Sequence, residues 1–185
     1  MRKVVASLFI SLDGVVGDPA SWQIPYYDEE MGREIGAAMA TADAMLLGRV
    51  TYEEWATFFP SPASEGVPSR DYMNEVRKFV VSDTLEGPLE WNNSTLIEGD
   101  LAEEIAALKE GEGGDIGISG SGTLVRSLLQ ADLLDELNLL LHPVVVGDGK
   151  RLFQGGGEDR KALELVDSKT FSTGVVYLTY RPTRG

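Results

Sequence analysis

Val4 to Ile10 is almost continuously apolar, the pattern of a strand covered on both faces. From Asp28 the spacing becomes helical, with Met31, Ile35, Met39 and Ala42 on one face, and Ala44 to Leu47 then predicts a second buried strand. Thr51 and Glu54 match the S/T-x-x-E capping box, which predicts a short helix just after Gly48 and Arg49. Lys78 to Ser82 and Ser94 to Ile97 follow as a third and a fourth strand. Asp100 with Glu103 opens a helix whose apolar face is Leu101, Ile105 and Leu108. Ile116 to Ser119 is a fifth strand, and Gly120-Ser121-Gly122-Thr123 leads into a helix bearing Leu124, Leu128 and Leu129. Beyond it the helical signal stops. Leu137, Leu139 and Leu141 form an alternating strand, Leu163 to Val166 another, and Gly174 to Tyr180 a last one.

Strands alternating with helices imply a parallel sheet built by right-handed crossovers, and a helix-free C-terminal third implies antiparallel strands added at one edge. The expected fold is therefore α/β: a mixed, mostly parallel sheet between flanking helices, three layers in all. No repeat or low-complexity tract interrupts the chain, and Pro60 to Ser69 is short enough to be a loop, so residues 1–185 are expected to form one domain.

Composition narrows the chemistry. A net charge of −14 repels nucleic acid and anionic lipid, so neither is an expected partner. With no Cys and a single His, disulfides, Cys-based zinc sites, iron–sulfur ligation and thiol catalysis are excluded, and a Ser-His-Asp triad could rest only on His142. The basic, apolar N-terminus lacks a small-x-small cleavage pattern, and no apolar run approaches the ~20 residues needed to span a bilayer. A cytoplasmic location is the expectation.

Two strand–turn–helix junctions stand out. Ser119-Gly120-Ser121-Gly122-Thr123 lets backbone approach a ligand at a helix start, whose free N–H groups and dipole favour a phosphate. Gly48-Arg49-Val50-Thr51 repeats the arrangement with a guanidinium beside the donors. Read blandly, the first is a tight βα turn, and Arg49 pairs with Glu53 or Glu54. Ligands of α/β sheets bind beyond the carboxyl ends of the strands, so the two turns together suit a dinucleotide. Asp13-Gly14-Val15-Val16-Gly17 and the segment Trp22 to Asp28 could form a lid with an aromatic platform and a carboxylate. Asp28 is equally a helix N-cap, and His142 a core or surface residue.

In this order the motifs resemble the dihydrofolate reductase-like superfamily, and within it bacterial proteins similar to the C-terminal reductase domain of the bifunctional riboflavin biosynthesis protein. Ser11-Leu12-Asp13-Gly14, Gly48 to Glu53, Ser119 to Leu124 with Ala131 to Leu137, and Pro143 to Gly149 with Leu152-Phe153 carry the resemblance. It implies an NADPH-dependent reductase acting on a small heterocycle, most simply of the 5-amino-6-(5-phosphoribosylamino)uracil reductase type. Dihydrofolate reductase activity, a nucleotide-binding module without catalysis, and a domain whose turns are only structural remain alternatives. It further implies that Gly48, Arg49 and Thr51 hold cofactor phosphates, that Ser82 meets the adenosine 2′-phosphate, and that Gly120, Ser121, Gly122, Thr123 and Leu124 cradle the pyrophosphate. Asp13 and Trp22 would lie near the nicotinamide and substrate, with Asp28 or Asp13 assisting protonation. A homodimer is also implied, and a final strand at an exposed apolar edge would suit it.

Overall fold

The computed structural model describes residues 1–154 and 160–183. The strands are β1 (Val4–Ser11), β2 (Ala42–Gly48), β3 (Arg77–Val81), β4 (Ser94–Ile97), β5 (Asp115–Ile118), β6 (Glu136–His142), β7 (Leu163–Thr170) and β8 (Val176–Pro182). The helices are α1 (Glu29–Thr41), α2 (Arg49–Phe58), α3 (Arg70–Glu75), α4 (Leu101–Glu110) and α5 (Gly122–Gln130). One sheet runs in the order β4-β3-β2-β5-β1-β6-β8-β7. Every pair from β4 to β6 is parallel, and β8 and β7 close the C-terminal side antiparallel. The expected mixed α/β sheet is what forms.

Alternation along the strands assigns the layers. On one face Val4, Ala6, Leu8 and Ile10 of β1, with Ala44, Leu46, Ile116 and Ile118, pack under Ile105 of α4 and Leu124, Val125 and Leu128 of α5. On the other, Met45, Leu47 and Val80 meet Tyr52 and Phe59 of α2, Met73 of α3, and Trp91. Met31 of α1 covers Leu140 of β6 together with Phe171 and Val175. No helix among the described residues is long and apolar enough to cross a membrane.

Three expectations need correction. The helix after β2 begins at Arg49 with Gly48 as its N-cap, so Thr51 is buried inside the first turn and the capping box with Glu54 does not form. Ala42, assigned to the apolar face of α1, is instead the first residue of β2. The last strand is not an edge: β8 is hydrogen-bonded to β6 and β7, and β7, longer than expected, is the outer strand. The short helix α3 carries no periodic signal that its length would reveal.

Candidate cofactor and substrate site

The two glycine turns lie at the carboxyl ends of neighbouring strands, β2 and β5, and pack into each other. A Cβ on Gly48 would lie 2.6 Å from Ser121 Oγ and 2.8 Å from Ser121 Cβ. A Cβ on Gly120 would lie 3.0 Å from Thr51 Cγ2. Each glycine thus makes room for the hydroxyl residue of the other turn, and the starts of α2 and α5 become one ledge. Ser121, at φ 65, caps α5 by accepting the Leu124 N–H on Oγ at 3.3 Å. That leaves the N–H groups of Gly122 and Thr123 outside the helical ladder. Leu124 is not arranged as a ligand, because its N–H is capped and its side chain is in the core. Thr51 is 9% exposed, with its side chain turned to Gly120.

Arg49 stands on the exposed side of this ledge, where Nη1 donates to Glu53 Oε2 at 2.8 Å, one helical turn away. The pairing read from the sequence as the bland alternative therefore exists, in a guanidinium still 44% exposed. Ser82 follows β3, and its Oγ accepts the N–H groups of Thr84 and Leu85 at 3.1 and 3.0 Å, which turns the chain at the same edge.

Asp13 is a clamp between two loops. Its Oδ1 accepts the Ser11 hydroxyl at 2.6 Å and the Val146 N–H at 3.1 Å; Oδ2 accepts the Gly147 N–H at 2.9 Å. Arg151 adds Nε to the Asp13 carbonyl at 2.9 Å and Nη2 to Oδ2 at 3.4 Å. The Ser11 hydroxyl first, and then the two backbone N–H groups, hold this carboxyl far below the usual carboxylate range. A group so stabilised as the anion is a poor proton donor at neutral pH. Asp28 is likewise committed: Oδ1 caps α1 by accepting the Met31 N–H at 2.8 Å, and Oδ2 accepts the Ser172 hydroxyl at 3.0 Å. The capping bond is the main cause of its lowered pKa. Neither Arg151 nor Ser172 was singled out in the sequence. They come to these aspartates across |i−j| separations of 138 and 144, so no local pattern reveals them.

Trp22 lies in the link between β1 and α1, 8% exposed, its Nε1 donating to Gly17 O at 3.1 Å. It stands edge-on to the His142 imidazole at 5.3 Å, with Phe9 and Tyr26 at 5.6 and 5.8 Å. His142 is fully buried at the end of β6, opposite Ser11 of β1. Across the edge the residues thus run from Gly48 on β2, through the Gly120 turn after β5 and Ser11 on β1, to His142. At about 4.8 Å per strand this is roughly 15 Å.

Residues 2–177 match the family model of the RibD C-terminal domain. The chain is 29% identical over 184 residues to the uncharacterized protein YyaP of Bacillus subtilis, covering 97% of this chain and 94% of that one. The crystal structure of a putative riboflavin biosynthesis protein from Shewanella sp. PV-4 superposes with a TM-score of 0.77 at 25% identity, over 100% of both chains. The dihydrofolate reductase of Enterococcus faecalis, solved with NADP(H), shares the fold with a TM-score of 0.65 at 18% identity, over 98% of this chain and 97% of that one.

Proposed function

Because the chain belongs to the RibD C-terminal domain family, we propose that it is an NADPH-dependent reductase acting on a small heterocycle, of the 5-amino-6-(5-phosphoribosylamino)uracil reductase type. The observation that carries this reading is the reciprocal fit of Gly48 with Ser121 and Gly120 with Thr51, which joins two helix starts into one anion-facing ledge. The donor set suits a nicotinamide dinucleotide. The N–H groups of Gly122 and Thr123 would take the pyrophosphate, with Gly120 and Ser121 keeping the backbone close. Gly48 and Arg49 would take a further phosphate, and Ser82 the 2′-phosphate. The ~15 Å from this ledge to His142 leaves the nicotinamide end beside β1 and β6.

When bound, NADPH supplies a hydride from C4 of its nicotinamide. The protein's contribution is orientation and the exclusion of water. Trp22 covers the ends of β1 and β6, and the Asp13 clamp fixes the backbone that leads to it. With both carboxyls held as anions, we assign Asp13 to positioning and Asp28 to capping α1, and the proton that accompanies the hydride to solvent. The rival reading, a nucleotide-binding module without turnover, draws on the same commitment of Asp13 and Asp28. Loss of NADPH absorbance with a ribosylaminouracil phosphate or dihydrofolate as acceptor separates them: turnover establishes the reductase and its acceptor, whereas tight NADPH binding with no turnover on any pyrimidine or pterin leaves the module.

A further inference from the structure

Among the described residues, the buried side-chain atoms without a hydrogen-bond partner are Gln23 Oε1, Ser94 Oγ, Asn138 Oδ1, His142 Nε2 and Thr173 Oγ1. His142 ends β6, and Asn138 lies four residues before it, about 13 Å along the strand. Gln23 is in the link that carries Trp22, Asn138 and His142 alternate onto the same face of β6, and Thr173 lies in the turn between β7 and β8. Gln23 Oε1, Asn138 Oδ1 and, as follows, His142 Nε2 are acceptors. What they lack is a donor.

Nδ1 of His142 lies 2.7 Å from the Leu140 carbonyl, which can only accept and so favours the proton on Nδ1 and a lone pair on Nε2; the Ile10 carbonyl also acts on the ring. Burial lowers the imidazole pKa, so the ring stays neutral at physiological pH. Phe9, Trp22 and Tyr26 surround it edge-on. A phenylalanine would fill such a box without burying an unmet acceptor. Two of the three walls, Trp22 and Tyr26, come from a link built only of the short 3-10 turns Pro19–Ser21 and Ile24–Tyr26. Trp22 Nε1 donates to Gly17 O, and the Gly17 N–H donates in turn to Lys150 O at 3.2 Å, so this one indole bond is what holds the link to the anchored backbone and must be released when the link lifts.

We propose that Nε2 of His142 is the acceptor that receives an N–H of the heterocycle to be reduced, and that it is uncovered when the Trp22–Tyr26 link lifts from the end of β6. This rests on the reductase reading of the same edge. It assigns the recognition of the acceptor to a neutral imidazole rather than to a carboxylate, consistent with Asp13 and Asp28 each being engaged in holding the backbone. The preferred ligand face is a ring edge with N–H donors, and alkylation of those nitrogens removes the contact.

His142 is the only histidine in the chain, so ¹⁵N-histidine labelling reports one imidazole. The probes are 5,6-diaminouracil and its 1,3-dimethyl derivative, titrated with and without saturating NADPH. The expected result is an upfield shift of Nε2 with diaminouracil and none with the dimethyl compound. His142→Phe, which keeps a ring in the box, should weaken diaminouracil binding about tenfold, the loss expected of one hydrogen bond, while NADPH binds as to wild type. An Nε2 that is already hydrogen-bonded in the free protein and unmoved by millimolar diaminouracil marks a resident water and overturns the proposal. So does a His142→Phe protein that binds diaminouracil as wild type does. Absent NADPH binding with Nε2 still responding would sink the reductase reading and overturn the assignment of the bound heterocycle as the group reduced, while keeping the His142 contact.

Discussion

Arg49 and Glu53 share an exposed pair, 44% and 47% of their side chains in water, of a kind that contributes little to stability. Arg49→Ala should therefore change unfolding free energy by no more than about 0.5 kcal/mol. If the guanidinium serves a cofactor phosphate, the same change should weaken NADPH roughly ten- to a hundredfold, measured by energy transfer from tryptophan. Glu53→Gln should act the other way, since it frees Arg49 and removes a negative charge beside the ledge. A second residue-scale prediction concerns Lys78, which is fully buried and donates Nζ to the carbonyls of Val76 and Asn92 at 2.8 and 3.0 Å, 4.4 Å from the Trp91 ring centroid. Burial lowers its pKa from 10.5 to about 8. Between those values the unfolded chain binds more protons, so stability should rise with pH across that window, and Lys78→Met should abolish the rise in a series of melts. For Asp13 the slope has the same sign, because its pKa is also lowered, but here the shift contributes stability instead of costing it. Its lowered pKa contributes stability above the ordinary 3.8 that is lost as pH falls below it, and Asp13→Asn should flatten the acid limb of the same profile. Arg49 could be picked out in the sequence because it is the one basic residue in either glycine turn. The partners that turn Asp13 into a clamp could not, because they are supplied by a loop more than a hundred residues away.

At the scale of elements, the joint between α2 and α5 makes the sharpest prediction. Gly48→Ala forces a Cβ to within 2.8 Å of Ser121 Cβ, which a rotamer change cannot relieve, and should cost about 1–3 kcal/mol. Ser121→Gly in the same chain should recover most of that. It removes the obstructing atoms and places glycine at φ 65, where a side chain is disfavoured. Denaturant melts of the single and double variants check this, and additive losses would show that the turns do not touch. Most strands and the helices α1, α4 and α5 were legible because periodicity and caps agree: Asp28 and Asp100 do cap their helices. The start of α2 was misread because Gly48, which offers no side chain to recognise, caps it while Thr51 packs inward. The identity of the edge strand was hidden for a different reason. A strand between two others and one at the rim carry similar apolar patterns when both pair antiparallel, and only the pairing distinguishes β8 from β7.

For the whole molecule, a net charge of −14 makes any anion site depend on local donors, and the ledge concentrates them where two parallel strands end. The outer strand β7 exposes Leu165 and Val166, by 51% and 42%, and is the surface through which we expect two copies to pair. Light scattering at micromolar concentration should give a mass near twice the 20.1 kDa of one chain. A charged residue at Leu165 should return it to a single copy without altering NADPH binding. The cofactor assignment itself is tested most directly by melting the protein in NADPH. A ligand that binds only the folded state adds about 2.7 kcal/mol at a hundred times its dissociation constant, so wild type should melt several degrees higher in millimolar NADPH, and Arg49→Ala should need correspondingly more nucleotide for the same rise. Melting unchanged by millimolar NADPH in the wild-type protein would contradict it.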